Sequence, residues 1–280
     1  MPSFDTSAPI SAVVHVEAGS VLFAAGDRHD TAVDVRPHAP EKELDVRTAE
    51  QTEVTYANGT LSVRTPKPTL LGRTGTVDIT VHLPAGSHVD LTGGWARVLG
   101  EGTLGDVRVK TSVGDVRLGT TGQLRVDSPD GSVSVDRVEG RAEITTSSGS
   151  LRVGHVDGPA VLTNAHGTTI VTAVTGELRV TSTNGDVEVG RAGSSITATT
   201  THGAVRVGEA ARGAVQLETS YGSIDVGVRE GTAALLDVRS GLGLVHNALA
   251  PSGAPDESEE TVRVRARTRH GSINVRRAAA

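Results

Sequence analysis

The chain has 280 residues, no cysteine, five aromatic side chains, and 27 Lys plus Arg against 33 Asp plus Glu. Valine, glycine and threonine contribute 39, 34 and 33 residues; that bias excludes a helical bundle, because Val and Thr are stiff at χ1 and Gly is costly within a helix. The missing cysteines exclude a disulfide scaffold and a thiolate-held zinc, and a net charge of −6 excludes the basic footprint that duplex binding needs, so no nucleic-acid partner is expected.

From the start, residues 1–19 contain no Lys or Arg and carry Asp5 early, unlike a secretory leader, so a cytoplasmic protein is expected. The longest apolar run, Val21–Ala25, is far too short to span a bilayer. Gly19-Ser20-Val21-Leu22-Phe23 reads as one repeat corner and Val33-Asp34-Val35 as another. Asn58-Gly59, between Val54/Tyr56 and Leu61/Val63, predicts a hairpin. Thr76 to Leu83 predicts a strand closed by Pro84. Residues 1–90 therefore read as an irregular N-terminal β cap with an excursion at 36–75, the alternative being a separate small β-domain. Trp95, the only tryptophan, is expected to pack over the solenoid end.

A nine-residue beat then takes over. Apolar-x-apolar triplets begin at Val107, Val116, Leu124, Val133, Ala142, Leu151, Ala160, Thr169 and Leu178, and continue to Ile224 almost without a slip. Two kinds of turn alternate between triplets, so the repeating unit is a coil of about 18 residues built from two half-coils. Each triplet alternates inward apolar with outward polar residues, as a half-buried strand does. Such short strands are stable only when stacked on neighbours of the same pattern, which predicts an all-β, β-solenoid (β-helix-like) domain over 91–280, continuous with the cap. An antiparallel meander would not need two alternating turn chemistries.

The corners share one chemistry. Asp130, Ser148, His166, Asn184, His202, Tyr221 and His270 stand immediately before a repeat glycine, and Asn, Asp and His are the non-glycine types that accept positive φ. Three residues before the glycine comes a column of Thr111, Ser128, Thr146, Asn164, Ser182, Thr200, Thr219, Ser240 and Thr268, expected to form a ladder that caps backbone groups. His166 and His202 lie two coils apart, about 9.6 Å, too far to share a metal. The GGxGxD aspartates of calcium β-rolls are absent, as are P-loop, HExxH and GxSxG motifs. No metal, cofactor or catalytic residue is expected.

After Val226 the beat slips, returning at Leu236/Val238 and Val245/Asn247. A loop at 248–260, with Asp256, Glu257, Glu259 and Glu260, interrupts it before Val264/Ala266 and Ile273/Val275. The alternation from Val262 to Arg269 places Arg263, Arg265, Arg267 and Arg269 on one solvent face. This row is a candidate interaction surface for an anionic polymer. Its competing explanation is that charge on a terminal strand discourages edge pairing.

The S/T-x-x-G-x-V-x-V corners, Gly185-Asp186-Val187-Glu188-Val189, the run from Tyr221 to Ala234 and the ending from Val262 to Arg277 resemble the bacterial β-strand-repeat family labelled "putative adhesin", a domain of unknown function. The resemblance covers nearly the whole chain. It implies a β-solenoid-like fold and brings no catalytic residues and no established ligand. The expected function is a non-enzymatic scaffold or binding protein for an unknown protein or polymer, with self-association through its end coils. Two alternatives are a carbohydrate-active β-helix enzyme, which would gather carboxylates across coils, and an exported adhesin.

Overall fold

The computed structural model describes residues 2–67, 74–250 and 260–279. Part of the 36–75 excursion and the centre of the 248–260 loop, with Asp256, Glu257 and Glu259, lie outside the described residues. The described residues are all-β apart from one short helix, and the chain divides into two compact units, Met1–Glu139 and Gly140–Ala280.

The first unit contains β1 (Ser3–Asp5), β2 (Ser11–Gly26), β3 (Asp30–Pro37), α1 (Glu43–Glu50), β4 (Glu53–Ala57), β5 (Thr60–Arg64), β6 (Val77–Pro84), β7 (His88–Thr103), β8 (Val107–Val113), β9 (Val116–Thr121), β10 (Leu124–Asp130) and β11 (Val133–Val138). β2 and β7 are long enough to supply both halves of a coil. β2 pairs in parallel with β5 and β6 on one side and with β7 on the other. β7 continues the parallel stack onto β8 and β9, and these onto β10 and β11. The earliest of these strands in sequence is thus an interior coil, and residues 60–84 form the outer one.

That outer coil is closed in the opposite sense. β4 folds back antiparallel on β5 through the predicted hairpin, with Asn58 and Gly59 at φ 50° and 74°, the signs a tight primed turn requires. β3 lies antiparallel on β6 and β1 antiparallel on β3, so Val33–Val35 belongs to a closing strand and not to a repeat corner. Helix α1 is tied down by the buried Asp45, whose carboxylate accepts from the N–H groups of Ala39 (3.2 Å) and Thr76 (2.9 Å). The Thr48 hydroxyl accepts from the Gly75 N–H at 3.2 Å. With this cap in place Leu61, Val63, Val77, Ile79, Val81 and Leu83 are fully buried.

The second unit contains β12 (Ala142–Ser148), β13 (Leu151–Val156), β14 (Ala160–His166), β15 (Thr169–Val174), β16 (Leu178–Asn184), β17 (Val187–Ala192), β18 (Ile196–His202), β19 (Val205–Ala210), β20 (Gly213–Tyr221), β21 (Ile224–Val228), β22 (Ala233–Leu242), β23 (Val245–Asn247), β24 (Thr261–His270) and β25 (Ile273–Arg277). Even-numbered strands from β12 to β20 form one parallel ladder and odd-numbered strands from β13 to β21 another. The predicted solenoid repeat is therefore present.

Chain order then breaks. β20 pairs with β24, and β24 with β22; β21 pairs with β25, and β25 with β23. The coil at 261–277 is interior and the coil at 233–247 is terminal, so the arginine strand is not the edge strand it was expected to be. Side-chain chemistry explains the order. Val262, Val264, Ala266, Ile273 and Val275 are all apolar and buried. Asn247 takes the position that Val226 and Val275 hold in the coils beneath, and its amide would be costly between two apolar coils of the stack.

At the corners the repeat glycines, and not the residues before them, carry the positive φ: 126° at Gly167, 156° at Gly185 and 144° at Gly203. Among the described residues Asn58 is the only non-glycine with positive φ. A Cβ on Gly185 or Gly203 would sit 2.0 or 2.2 Å from the carbonyl oxygen of the glycine one coil below. The hydroxyl column caps corner carbonyls as expected, except at Ser182, whose buried hydroxyl has no hydrogen-bond partner among the described residues. Thr219 donates to the Gly203 carbonyl (3.0 Å), Thr268 to Gly222 (3.0 Å) and Ser240 to Gly271 (2.8 Å), each reaching the glycine of the adjacent coil. Asn164 does the same with its amide, donating to Gly149 and Gly167.

Candidate functional site

The arginine row projects as predicted: Val262, Val264, Ala266 and Thr268 are buried, while Arg263, Arg265 and Arg269 are exposed and Arg267 is half-buried. What the sequence did not reveal is the neighbour. In register with Arg265 on the terminal strand β22 stands Asp237. Arg267 donates both to the Asp237 carboxylate and to its backbone carbonyl (2.7 Å). Arg265 and Arg239 approach the same carboxylate at 3.9 and 3.7 Å. The Arg267 hydrogen bond above all, then the charges of Arg267, Arg239 and Arg265, holds the Asp237 carboxyl below its ordinary value against an opposing desolvation. Arg265 and Arg267 therefore act on the end coil, and Arg263 and Arg269 flank that cluster on the same face.

The end coil itself is open. Among the described residues β22 pairs only with β24 and β23 only with β25. In the covered coils the N–H groups of Gly222 and Ile224 donate to His270 and Ser272, and those of Gly271 and Ile273 donate to Leu242 and Leu244, all at 2.8–2.9 Å. Gly243 and Val245 are the matching donors of the end coil, and no described coil lies beyond them. Leu235, Leu242, Leu244 and Val245 are 63%, 65%, 79% and 45% exposed, whereas Ile224 and Ile273, which share Val245's column, are buried.

The same threading assembles a ladder of rings. His202, Tyr221 and His270 stack on three successive coils with centroids 5.0 and 4.7 Å apart and planes within 8°; Leu242 is next in register. Further down the column the side chains of Asn184 and His166 are 3.1 Å apart. No group of three metal-ligating side chains occurs among the described residues. In the first unit Trp95 occupies the equivalent corner position, between Ala18 and Val113, and is 70% exposed, so it does not pack over a solenoid end.

On the other ladder of the second unit, Glu188, Arg206 and Asp225 follow one another on successive coils. Arg206 pairs with Asp186 at 3.0 Å and Arg276 with Asp225 at 3.1 Å. The Asp186 carboxyl is lowered first by the Ala204 N–H and then by Arg206. Carboxylates on this strip thus alternate with arginines. No helix among the described residues is long and apolar enough to cross a membrane.

Parallel coils of about 18 residues, glycine corners and a hydroxyl ladder define a β-solenoid repeat protein. The sequence profile of the family Toastrack DUF4097 matches residues 13–239, and the chain belongs to that family, a domain of unknown function. Among solved structures it is similar to one described as a "putative adhesin" from Bacteroides fragilis NCTC 9343, at 14% identity over 98% of this chain and 95% of that one, with a TM-score of 0.42. It is also similar to a "putative cell adhesion protein" from Clostridium sporogenes ATCC 15579, at 9% identity over 99% and 98% of the two chains, with a TM-score of 0.20. No curated protein matches significantly.

Proposed function

We propose that this protein is a non-enzymatic binding scaffold that holds a protein partner through the open end coil of its second unit. The observation that carries this reading is the outer side of β22 and β23, which no strand among the described residues pairs with, flanked by Leu235, Leu242, Leu244 and Val245. A strand edge of this kind offers main-chain hydrogen bonds to an added strand, and the flanking apolar side chains offer contact area. Soluble proteins ordinarily blunt such an edge with charge, proline or a cover. Here Asp237 and Arg239 supply the only charges on β22.

The test compares proximity labelling by the wild-type chain and by the double variant Leu242→Lys, Leu244→Lys in the same cells. Both side chains are exposed, so the variant is expected to fold. Loss of a reproducible set of labelled proteins in the variant supports the reading. Identical sets from the two chains would sink it.

A further inference from the structure

We infer that the occupant of the open edge is a second copy of the same chain, joined by antiparallel pairing of β22 with β22 across a two-fold axis centred on Val238. This rests on the binding role proposed above and names its partner.

The backbone sets which groups are available. The Ala233 N–H donates to the Glu260 carbonyl at 2.9 Å, on the side of β24. Along a strand the polar groups of alternate residues face opposite sides, so Ala234, Leu236, Val238 and Ser240 turn their N–H and C=O groups to the open side. Two such edges brought together by a two-fold axis run antiparallel and satisfy one another, and the contact closes at two copies.

Charge then selects the register. Asp237 and Arg239 lie two residues apart on the solvent face, both exposed. An axis through Val238 sets Asp237 opposite Arg239 of the partner subunit, and does so twice by symmetry. Moving the axis one residue either way would set Asp237 against its own copy, or Arg239 against its own copy, and like charges directly opposite are destabilising. The chosen register also sets Leu242 opposite Ala234 of the partner subunit. It brings together the two half-buried core ends at Leu236 and Val238, whose counterparts in the coil beneath, Val264 and Ala266, are fully buried. The first unit shows the same solution within one chain: its outer coil is closed by strands laid antiparallel on β5 and β6.

The experiment is light scattering of the full chain across the micromolar range, with amide exchange read at 234, 236, 238 and 240. Expected are a mass that doubles with concentration and protection of those four amides that rises with it. Arg239→Glu, which would face Asp237 of the partner subunit, is expected to weaken the dimer by about tenfold or more, and Arg239→Ala by less. A chain that stays monomeric at every concentration overturns the self-pairing. If its labelled proteins still depend on Leu242 and Leu244, the binding role survives without it; if they do not, both readings fail. A dimer indifferent to Arg239→Glu, or an open-ended polymer, overturns the two-fold β22 interface.

Discussion

In the first unit the coil at 60–84 carries two antiparallel strands and a helix, and its inward residues are fully buried. In the second unit the coil at 233–247 carries no described strand on its outer side, and Leu236, Val238 and Val245 are partly exposed in columns that are closed one coil below. Both coils are stacked on neighbours by the same parallel ladder. The difference lies in the chain around them: β1, β3, α1, β4 and the Asn58-Gly59 turn all serve to close the first coil, while among the described residues the second has only charge on its edge strand. A solenoid coil, then, does not supply its own end; closure has to come from elsewhere in the chain or from another molecule.

The strongest test of this contrast concerns the corners. Gly203→Val forces a side chain onto a positive-φ position and against the Gly185 carbonyl in the interior of the stack, and is expected to cost more than about 4 kcal/mol in denaturant titration. Gly243→Val meets the Gly271 carbonyl in the same way, but only the end coil is displaced. Its signature is fast amide exchange confined to 233–247, with global stability little changed. Next in size is the pair Leu61→Ala and Leu236→Ala. The first removes a fully buried side chain beneath the cap and is expected to cost about 2–5 kcal/mol. The second, half-buried in the single chain, is expected to cost roughly 1 kcal/mol at concentrations where the chain is monomeric. Equal costs would show that the end coil is covered in solution.

The hydroxyl ladder gives a smaller effect. Thr219→Val leaves the Gly203 carbonyl without its side-chain donor and is expected to cost about 1–2 kcal/mol, and Ser240→Ala at the end coil less than that. The smallest effect belongs to Asp237. Its folded carboxyl titrates below the ordinary 3.8, so its contribution is complete above that value and is lost as pH falls through the lower folded value. Asp237→Asn should therefore loosen the end coil at neutral pH, and thermal melts of the two proteins should converge in acid. The carboxylate is exposed, which keeps the difference small.

Much of this architecture was legible in the residues. The triplets from Val107 onward and the Ser/Thr column three residues before each glycine specify coils and corners, because both record strictly local needs: a period-two strand and a donor for a corner carbonyl. Coil order was not legible for the same reason. Every corner uses the same local pattern, so the pattern cannot say which coil rests on which, and only Asn247 marks its coil as one that no further apolar coil of the stack can follow. Helix α1 lay in Glu43-Leu44-Asp45-Val46-Arg47, where helix-forming residues are held by Asp45 and Thr48 through partners at Thr76 and Gly75, distant in sequence. The arginine face was visible from its alternation. Its engagement with Asp237 depends on the broken coil order and was not.

That broken order bears on how the chain assembles as it is made. Residues 233–247 emerge before residues 261–277, so the surface of β20 and β21 is presented first to a coil that does not finally rest on it. Ser240 stands three residues before Gly243 as Thr268 stands three before Gly271, so the coil at 233–247 carries the same corner donor as the coil that finally occupies that surface. A released chain truncated after residue 250 is expected to show protection of the Gly222 and Ile224 amides; exposed amides in that species would mean that the vacant surface waits for its proper coil.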